Sequence, residues 1–118
     1  MNKRKTGAGR EHQAAEYLEE NGMRILERNF RSRQGEIDLI GRHGGYLVFV
    51  EVKYRSSSGC GYALEAVGYR KQYRICRAAD YYRFLHGMGE DTCVRYDVVG
   101  IQAGEMKWIQ NAFSHIYK

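Results

Sequence analysis

Apolar residues recur along this chain in two rhythms, one of about 3.6 residues and one of about 2. Between Arg10 and Asn21, the residues Ala14, Ala15, Tyr17 and Leu18 keep helical spacing and Asn21-Gly22 supplies a stop, which predicts a first helix. Alternation then predicts strands over 23–30 and 35–42, joined by a polar connection from Arg31 to Gln34. Gly44-Gly45 leads into a third strand over 46–54. A second helix is predicted from about Tyr69 to His86, with Ile75, Ala78, Ala79, Tyr82 and Leu85 as its buried stripe and Gly87 and Gly89 beyond its end. Two further strands follow at about 93–102 and 105–112. The order α-β-β-β-α-β-β predicts an α/β fold with a mixed central β-sheet flanked by helices.

Two segments fall outside these rhythms. Residues 1–9, with Lys3, Arg4 and Lys5, predict a flexible basic arm, leaving 10–118 as a single domain. Residues 55–61 are rich in Ser and Gly and predict a mobile loop beside the charged residues that precede them.

Those charged residues carry the chemistry. If Gly44-Gly45 form a two-residue hairpin loop of the primed type, Asp38 faces Glu51 and Glu36 faces Lys53 across the two strands. Directly opposed side chains share a face with Cβ atoms about 4.5–5.5 Å apart, so three carboxylates and one ammonium gather there. Ile37, Leu39, Val50 and Val52 point the other way, into a core. A register slip of one residue would put Asp38 and Glu51 on opposite faces.

Hydrolysis of a phosphodiester needs a divalent cation, a deprotonated water in line with the leaving oxygen, and a cationic group against the accumulating charge. Asp38 and Glu51 are spaced to hold Mg²⁺ or Mn²⁺ through oxygen, with the Val52 carbonyl as a further ligand. Lys53 is placed to orient or deprotonate the water, and Glu36 to support Lys53 from across the hairpin. An isolated Glu-x-Lys on a strand is ordinarily solvated surface. The combination of Glu-x-Asp with Glu-x-Lys, bounded by apolar alternation and a tight turn, argues for a site.

Composition narrows the class. The chain has 118 residues, 43% of them hydrophobic, and a formal net charge of +5, which favours a polyanionic partner. No apolar run reaches the roughly eighteen residues of a membrane span, so no membrane partner and a cytoplasmic location are expected. Cys60, Cys76 and Cys93 are scattered, without zinc-site or disulfide spacing, and are read as reduced thiols. His12, His43, His86 and His115 share no metal or triad spacing and are read as structural or exposed. Tyr54, Tyr62, Tyr69 and Tyr73 are read as core or rim packing rather than base-stacking platforms. Asp97, within an apolar strand, is read as a buried hydrogen-bonding partner rather than a ligand.

On the second helix Arg70, Arg74 and Arg77 fall at i, i+4 and i+7 with Lys71 adjacent, a stripe able to track a phosphate backbone. Arg55, Arg31, Arg33 and the N-terminal arm extend the same surface.

Gly35-Glu36-Ile37-Asp38-Leu39-Ile40, together with Phe49-Val50-Glu51-Val52-Lys53-Tyr54-Arg55, resembles the YraN-like family of small bacterial predicted endonucleases. That family looks like a distant relative of archaeal Holliday-junction resolvases within the PD-(D/E)xK restriction-endonuclease-like superfamily. The similarity extends to Glu11–Leu18, Arg28-Asn29, Lys71, Ala78-Ala79 and Arg95-Tyr96-Asp97-Val98. It implies a restriction-endonuclease-like core in which Asp38 and Glu51 bind metal, Lys53 assists the water and Glu11 adds a further acidic group. Where the family has Gly before that glutamate this chain has Arg10, able to pair with Glu11 or to reach a phosphate. The expected activity is metal-dependent cleavage of DNA, in preference to RNA, including branched DNA. Relatives that cut both strands of a junction act as dimers, so a homodimer fits this expectation. The rival expectation is a catalytically silent nucleic-acid-binding module that keeps the fold.

Overall fold

The computed structural model describes residues 3–55 and 67–117. Its elements are α1 (Lys3–Glu20), β1 (Arg24–Arg31), β2 (Glu36–His43), β3 (Tyr46–Arg55), α2 (Tyr69–Leu85), β4 (Val94–Gln102) and β5 (Glu105–Phe113), in the expected order. Helix α1 differs in its start. The chain is helical from Lys3, so the segment expected as a flexible arm is helix there. Lys, Arg, Ala and Glu favour helix strongly enough to carry Gly7 and Gly9 within it. The loop expected over 55–61 lies, beyond Arg55, outside the described residues, as do Cys60, Tyr62 and the side chain of Arg55. Among the described residues no helix is long and apolar enough to cross a membrane.

The five strands form one sheet in sequence order, β1-β2-β3-β4-β5. Neighbours are antiparallel except β3 and β4, which run parallel from Leu47↔Val94 to Arg55↔Gln102 because α2 lies in the connection between them. At the hairpin, Gly44 and Gly45 take φ of 58° and 87°, the positive values of a primed turn. They set the register from His43↔Tyr46 to Leu39↔Val50, which is the register expected from the glycine pair.

The helices cover opposite faces of the sheet. Leu47 and Phe49 of β3 pack with Ile75, Cys76, Ala78, Ala79 and Tyr82 of α2. Val48 and Val50 pack with Ala14, Ala15 and Leu18 of α1. Cys76 joins the buried stripe of α2, whereas Leu85, expected there, is half exposed at the helix's last residue. A second departure lies in β2. Leu39 belongs to the α1-side core with Val50 and Val52, as expected, but Ile37 belongs to the α2-side core with Ile40. Strict alternation therefore fails at Asp38. The cause is on both flanks: the β2–β3 ladder ends at Leu39↔Val50, and opposite Asp38, between Arg28↔Leu39 and Phe30↔Ile37, Asn29 has φ 53°. A left-handed residue, which Asn tolerates better than most, twists its strand locally.

Asp97 is fully buried in β4 and is a hydrogen-bonding partner, as expected. Its carboxylate accepts from Arg95 Nε and Nη2, both at 2.9 Å, from Trp108 Nε1 at 2.8 Å and from the Asn111 N–H at 2.9 Å. The last bond fills the irregularity in β5, where Tyr96↔Phe113 and Val98↔Ile109 are out of step and Asn111 has φ 55°. Asp97→Ala would leave a buried guanidinium and two N–H groups without their acceptor. It is expected to cost about 3–5 kcal/mol, measurable as a drop in the urea midpoint, while the surface change Arg24→Ala leaves that midpoint unmoved.

Candidate active site

β3 directs its odd-numbered side chains at α2, and with them Glu51, which is 5% exposed. A carboxylate so buried needs a partner. Lys71 Nζ, in the first turns of α2, lies 3.1 Å from Glu51 Oε2. Asp38 comes to the same place from the end of the β2–β3 ladder, where its Oδ2 accepts the Val52 N–H at 2.8 Å, a bond a main-chain carbonyl would otherwise take. Glu51 is the chief charged neighbour of Asp38. Burial first, and then the charge of Glu51, push the Asp38 carboxyl up from 3.8 to about 7, against the opposing pull of the Val52 N–H and Lys71.

Glu11 approaches from α1. Burial and the nearby Asp38 raise its carboxyl, while a hydrogen bond from the Asn29 side chain opposes the rise. The Arg10 guanidinium carbon sits 3.6 Å from the ring centroid of Tyr54, and this contact, rather than a pair with Glu11, ties α1 to the end of β3. Lys53 lies on the α2-facing side two residues beyond Glu51. Glu36 does not face it. The ladder has ended by then, and Glu36 Oε2 instead accepts from Arg31 Nε at 3.1 Å across β1.

The arginine stripe divides. Arg70 and Arg74 are exposed, and Lys71 turns to Glu51. Arg77 is withdrawn: it donates to the Ile116 carbonyl, pairs with Asp80 at 3.0 Å and lies 4.9 Å from the centre of the Tyr73 ring. Tyr54, Tyr69 and Tyr73 are partly exposed rim residues. The four histidines have local partners, as expected: Arg28 and Glu16 for His12, Arg95 for His43, the Tyr82 carbonyl for His86, and Tyr96 and Asp80 for His115. Cys76 is a buried thiol whose ionisation burial resists, and Cys93 is a free exposed one.

Among the described residues, no group of three or more His, Cys, Asp or Glu side chains could hold a metal ion unaided. The donor set is Asp38, Glu51 and nearby main chain, with Glu11 adjacent. It fits Mg²⁺ or Mn²⁺, which keep several waters and take one or two carboxylates, better than it fits an ion that needs a full protein cage.

The model of the uncharacterised protein family UPF0102 matches residues 10–101, a span that contains both acidic motifs and α2. The chain belongs to the UPF0102 family. UPF0102 proteins similar over nearly the whole length come from several bacteria. One from Lachnoclostridium phytofermentans is 48% identical over 113 residues, covering 96% of each chain. One from Serratia proteamaculans is 44% identical over 115 residues, covering 97% of this chain and 98% of its own. One from Stutzerimonas stutzeri is 42% identical over 112 residues, covering 92% and 93%.

Three features of this UPF0102 chain were not read from sequence. Asn29 combines a positive φ with a side-chain hydrogen bond to Glu11, and only its residue type hints at either. The Arg10–Tyr54 contact joins residues 44 apart without any pattern to announce it. Gly35 is bare because a Cβ there would lie 2.9 Å from the Arg74 carbonyl oxygen, so β2 and α2 touch backbone to backbone.

The raised Asp38 carboxyl makes stability depend on pH. Its proton is held more tightly in the folded chain than in the unfolded one. The resulting contribution is therefore complete below about pH 4 and lost as pH rises through about 7. Asp38→Asn should flatten the fall in stability across that window in metal-free protein, as read by urea denaturation at a series of pH values. Saturating Mg²⁺ should restore wild-type stability at pH 8 and do nothing for the variant.

Proposed function

We propose that this chain is a metal-dependent endonuclease that hydrolyses phosphodiester bonds in DNA, including branched DNA, on a PD-(D/E)xK restriction-endonuclease-like plan. The observation that carries the reading is the pairing of a part-buried Asp38 with a buried Glu51 at the point where two strands part. Proteins seldom keep two carboxyls as near neighbours without a cation or a shared proton between them. A bound Mg²⁺ or Mn²⁺ would supply Lewis-acid polarisation of the phosphoryl oxygens and a more acidic water. Asp38 and Glu51 would hold that ion, and the Val52 N–H fixes the orientation of Asp38. Lys53 holds the attacking water and answers the charge that builds on the phosphate. Glu11, fixed by Asn29, is the accessory acid. Arg70 and Arg74 present exposed cationic side chains to the nucleic-acid backbone.

One observation favours the rival reading, a silent nucleic-acid-binding module: Lys71 already neutralises Glu51 without an ion. The readings separate in a cleavage assay with labelled four-way junction, flap, duplex, single strand and RNA. Wild type should cut with Mg²⁺ or Mn²⁺, Glu51→Ala should not cut at all, and Lys53→Ala should be slower by about 10²–10⁴-fold, the usual range for general acid–base catalysis. A wild type that binds DNA equally with or without metal and cuts none of the panel is the binding module. In either case Arg70→Glu with Arg74→Glu should weaken DNA binding and flatten its dependence on salt.

A further inference from the structure

A cleft of about 500 Å³ opens between the turn joining β1 to β2 and the flank of α2. That size suits a small ligand or one unit of a polymer. Its charged lining comes from three elements: Arg31 at the end of β1, Glu36 at the start of β2, and Lys71 and Arg74 on α2. One wall is rigid. The Ser32 N–H donates to the Gly35 carbonyl at 2.9 Å and the Gly35 N–H donates to Ser32 Oγ at 3.2 Å, closing the turn on itself. At the Gly35 part of the lining β2 and α2 approach so closely that a Cβ there would also come within 3.0 Å of the Arg74 Cβ.

The charge of this lining is lopsided. Glu36 is engaged by Arg31 through Nε, and a guanidinium carries five donors, so that pair spends only part of Arg31's capacity. Arg74 is exposed at the rim, and Lys71 stands between the cleft and Glu51. Two guanidinium forks and an ammonium around one cavity match a phosphate, which takes several charge-assisted hydrogen bonds at once.

We propose that this cleft binds a phosphate group of a nucleic-acid strand next to the Asp38–Glu51 pair, with Lys71 shared between the two. While Glu51 carries an unshared negative charge, Lys71 is held at 3.1 Å from it. When that charge is met by another cation, Lys71 turns to the cleft and adds to Arg31 and Arg74. Metal loading and strand binding then reinforce one another, since whatever releases Lys71 from Glu51 strengthens the phosphate site. The strand as ligand rests on the nuclease reading; the anion chemistry of the cleft does not.

The test is made without metal, on the full chain in EDTA, by fluorescence anisotropy of a labelled hexathymidylate with a 5′-phosphate or a 5′-hydroxyl, competed with inorganic phosphate. Arg74→Ala is expected to weaken binding about tenfold, the size of one lost charge-assisted hydrogen bond. Lys71→Met should weaken it less. Glu51→Gln, which frees Lys71 and keeps the shape, should tighten binding several-fold over wild type. Arg24→Ala, an equal loss of charge at the far end of β1, should stay within about twofold. Preference for the phosphorylated end makes the group a strand terminus and equal affinity makes it an internal phosphodiester; both support the site. Equal losses for Arg24→Ala and Arg74→Ala, no competition by inorganic phosphate, or no gain in Glu51→Gln would overturn the proposal. Cleavage assayed in parallel keeps the two readings apart. Cutting that survives Arg74→Ala unchanged removes the cleft and leaves the nuclease, whereas phosphate binding in a wild type that never cuts removes the nuclease and leaves the cleft.

Discussion

Two carboxyls held as near neighbours under a covering helix must be paid for by structure elsewhere, and here that structure is the parting of β2 from β3. The antiparallel ladder stops at Leu39↔Val50, and the next donor on β3, the Val52 N–H, is satisfied by the Asp38 carboxylate instead of by main chain. That substitution keeps the backbone polar group from being buried unpaired, which is the condition for ending a ladder inside a covered sheet. It also fixes the direction of Asp38. With β3 anchored on its other side by nine parallel pairs to β4, the opening cannot spread, and Glu51 stays put while β2 turns away.

The same sheet contains a buried aspartate of opposite character, and the contrast is instructive about what makes a carboxylate structural. Asp97 is surrounded by donors from Arg95, Trp108 and Asn111 and meets no acid among them. Its charge is answered and its position stabilises the irregular end of β5. Asp38 has one donor in contact, and its chief electrostatic neighbour is Glu51, a second acid. A fold that only needed to fill space would relieve such a pair with an amide or an apolar residue, at no loss and often with gain. Here the relief comes instead from one cation, Lys71, on Glu51.

Much of this was legible along the chain. Gly44-Gly45 determines a turn, the turn determines a register, and the register brings positions 38 and 51 together, so a local signal reaches a tertiary fact. Long amphipathic and alternating segments were legible for the same reason, that burial imposes the period of the element. What period-based reasoning misses is where regularity ends. It assigns Ile37 to the face of Leu39, extends the ladder to Glu36 and Lys53, and places Arg77 with Arg70 and Arg74, because each assumes that an ideal strand or helix continues. In each case a particular side chain breaks the pattern: Asn29 through its backbone angle, Asp38 by capping a main-chain group, and Arg77 by binding the segment after β5. The start of α1 is missed for a different reason. Intrinsic propensity, with little apolar periodicity to mark it, makes the helix from Lys3.

Lys71 shows how a residue can satisfy a stripe and a site at once. It sits in the first turn of α2, at the border between the helix's buried stripe and its cationic flank, half exposed, with its ammonium on a carboxylate that is 5% exposed. Ion pairs between two exposed groups contribute little because water competes for both partners. This one joins a nearly dry acid to a wet base, so the acid depends on the base far more than the base depends on the acid. Any cation that binds Glu51 more tightly can therefore displace Lys71 at small cost, since the long side chain regains solvent on leaving. An arginine there would hold a carboxylate through a bidentate fork and resist displacement. A flexible point charge with three rotatable donors suits a group that must yield its place.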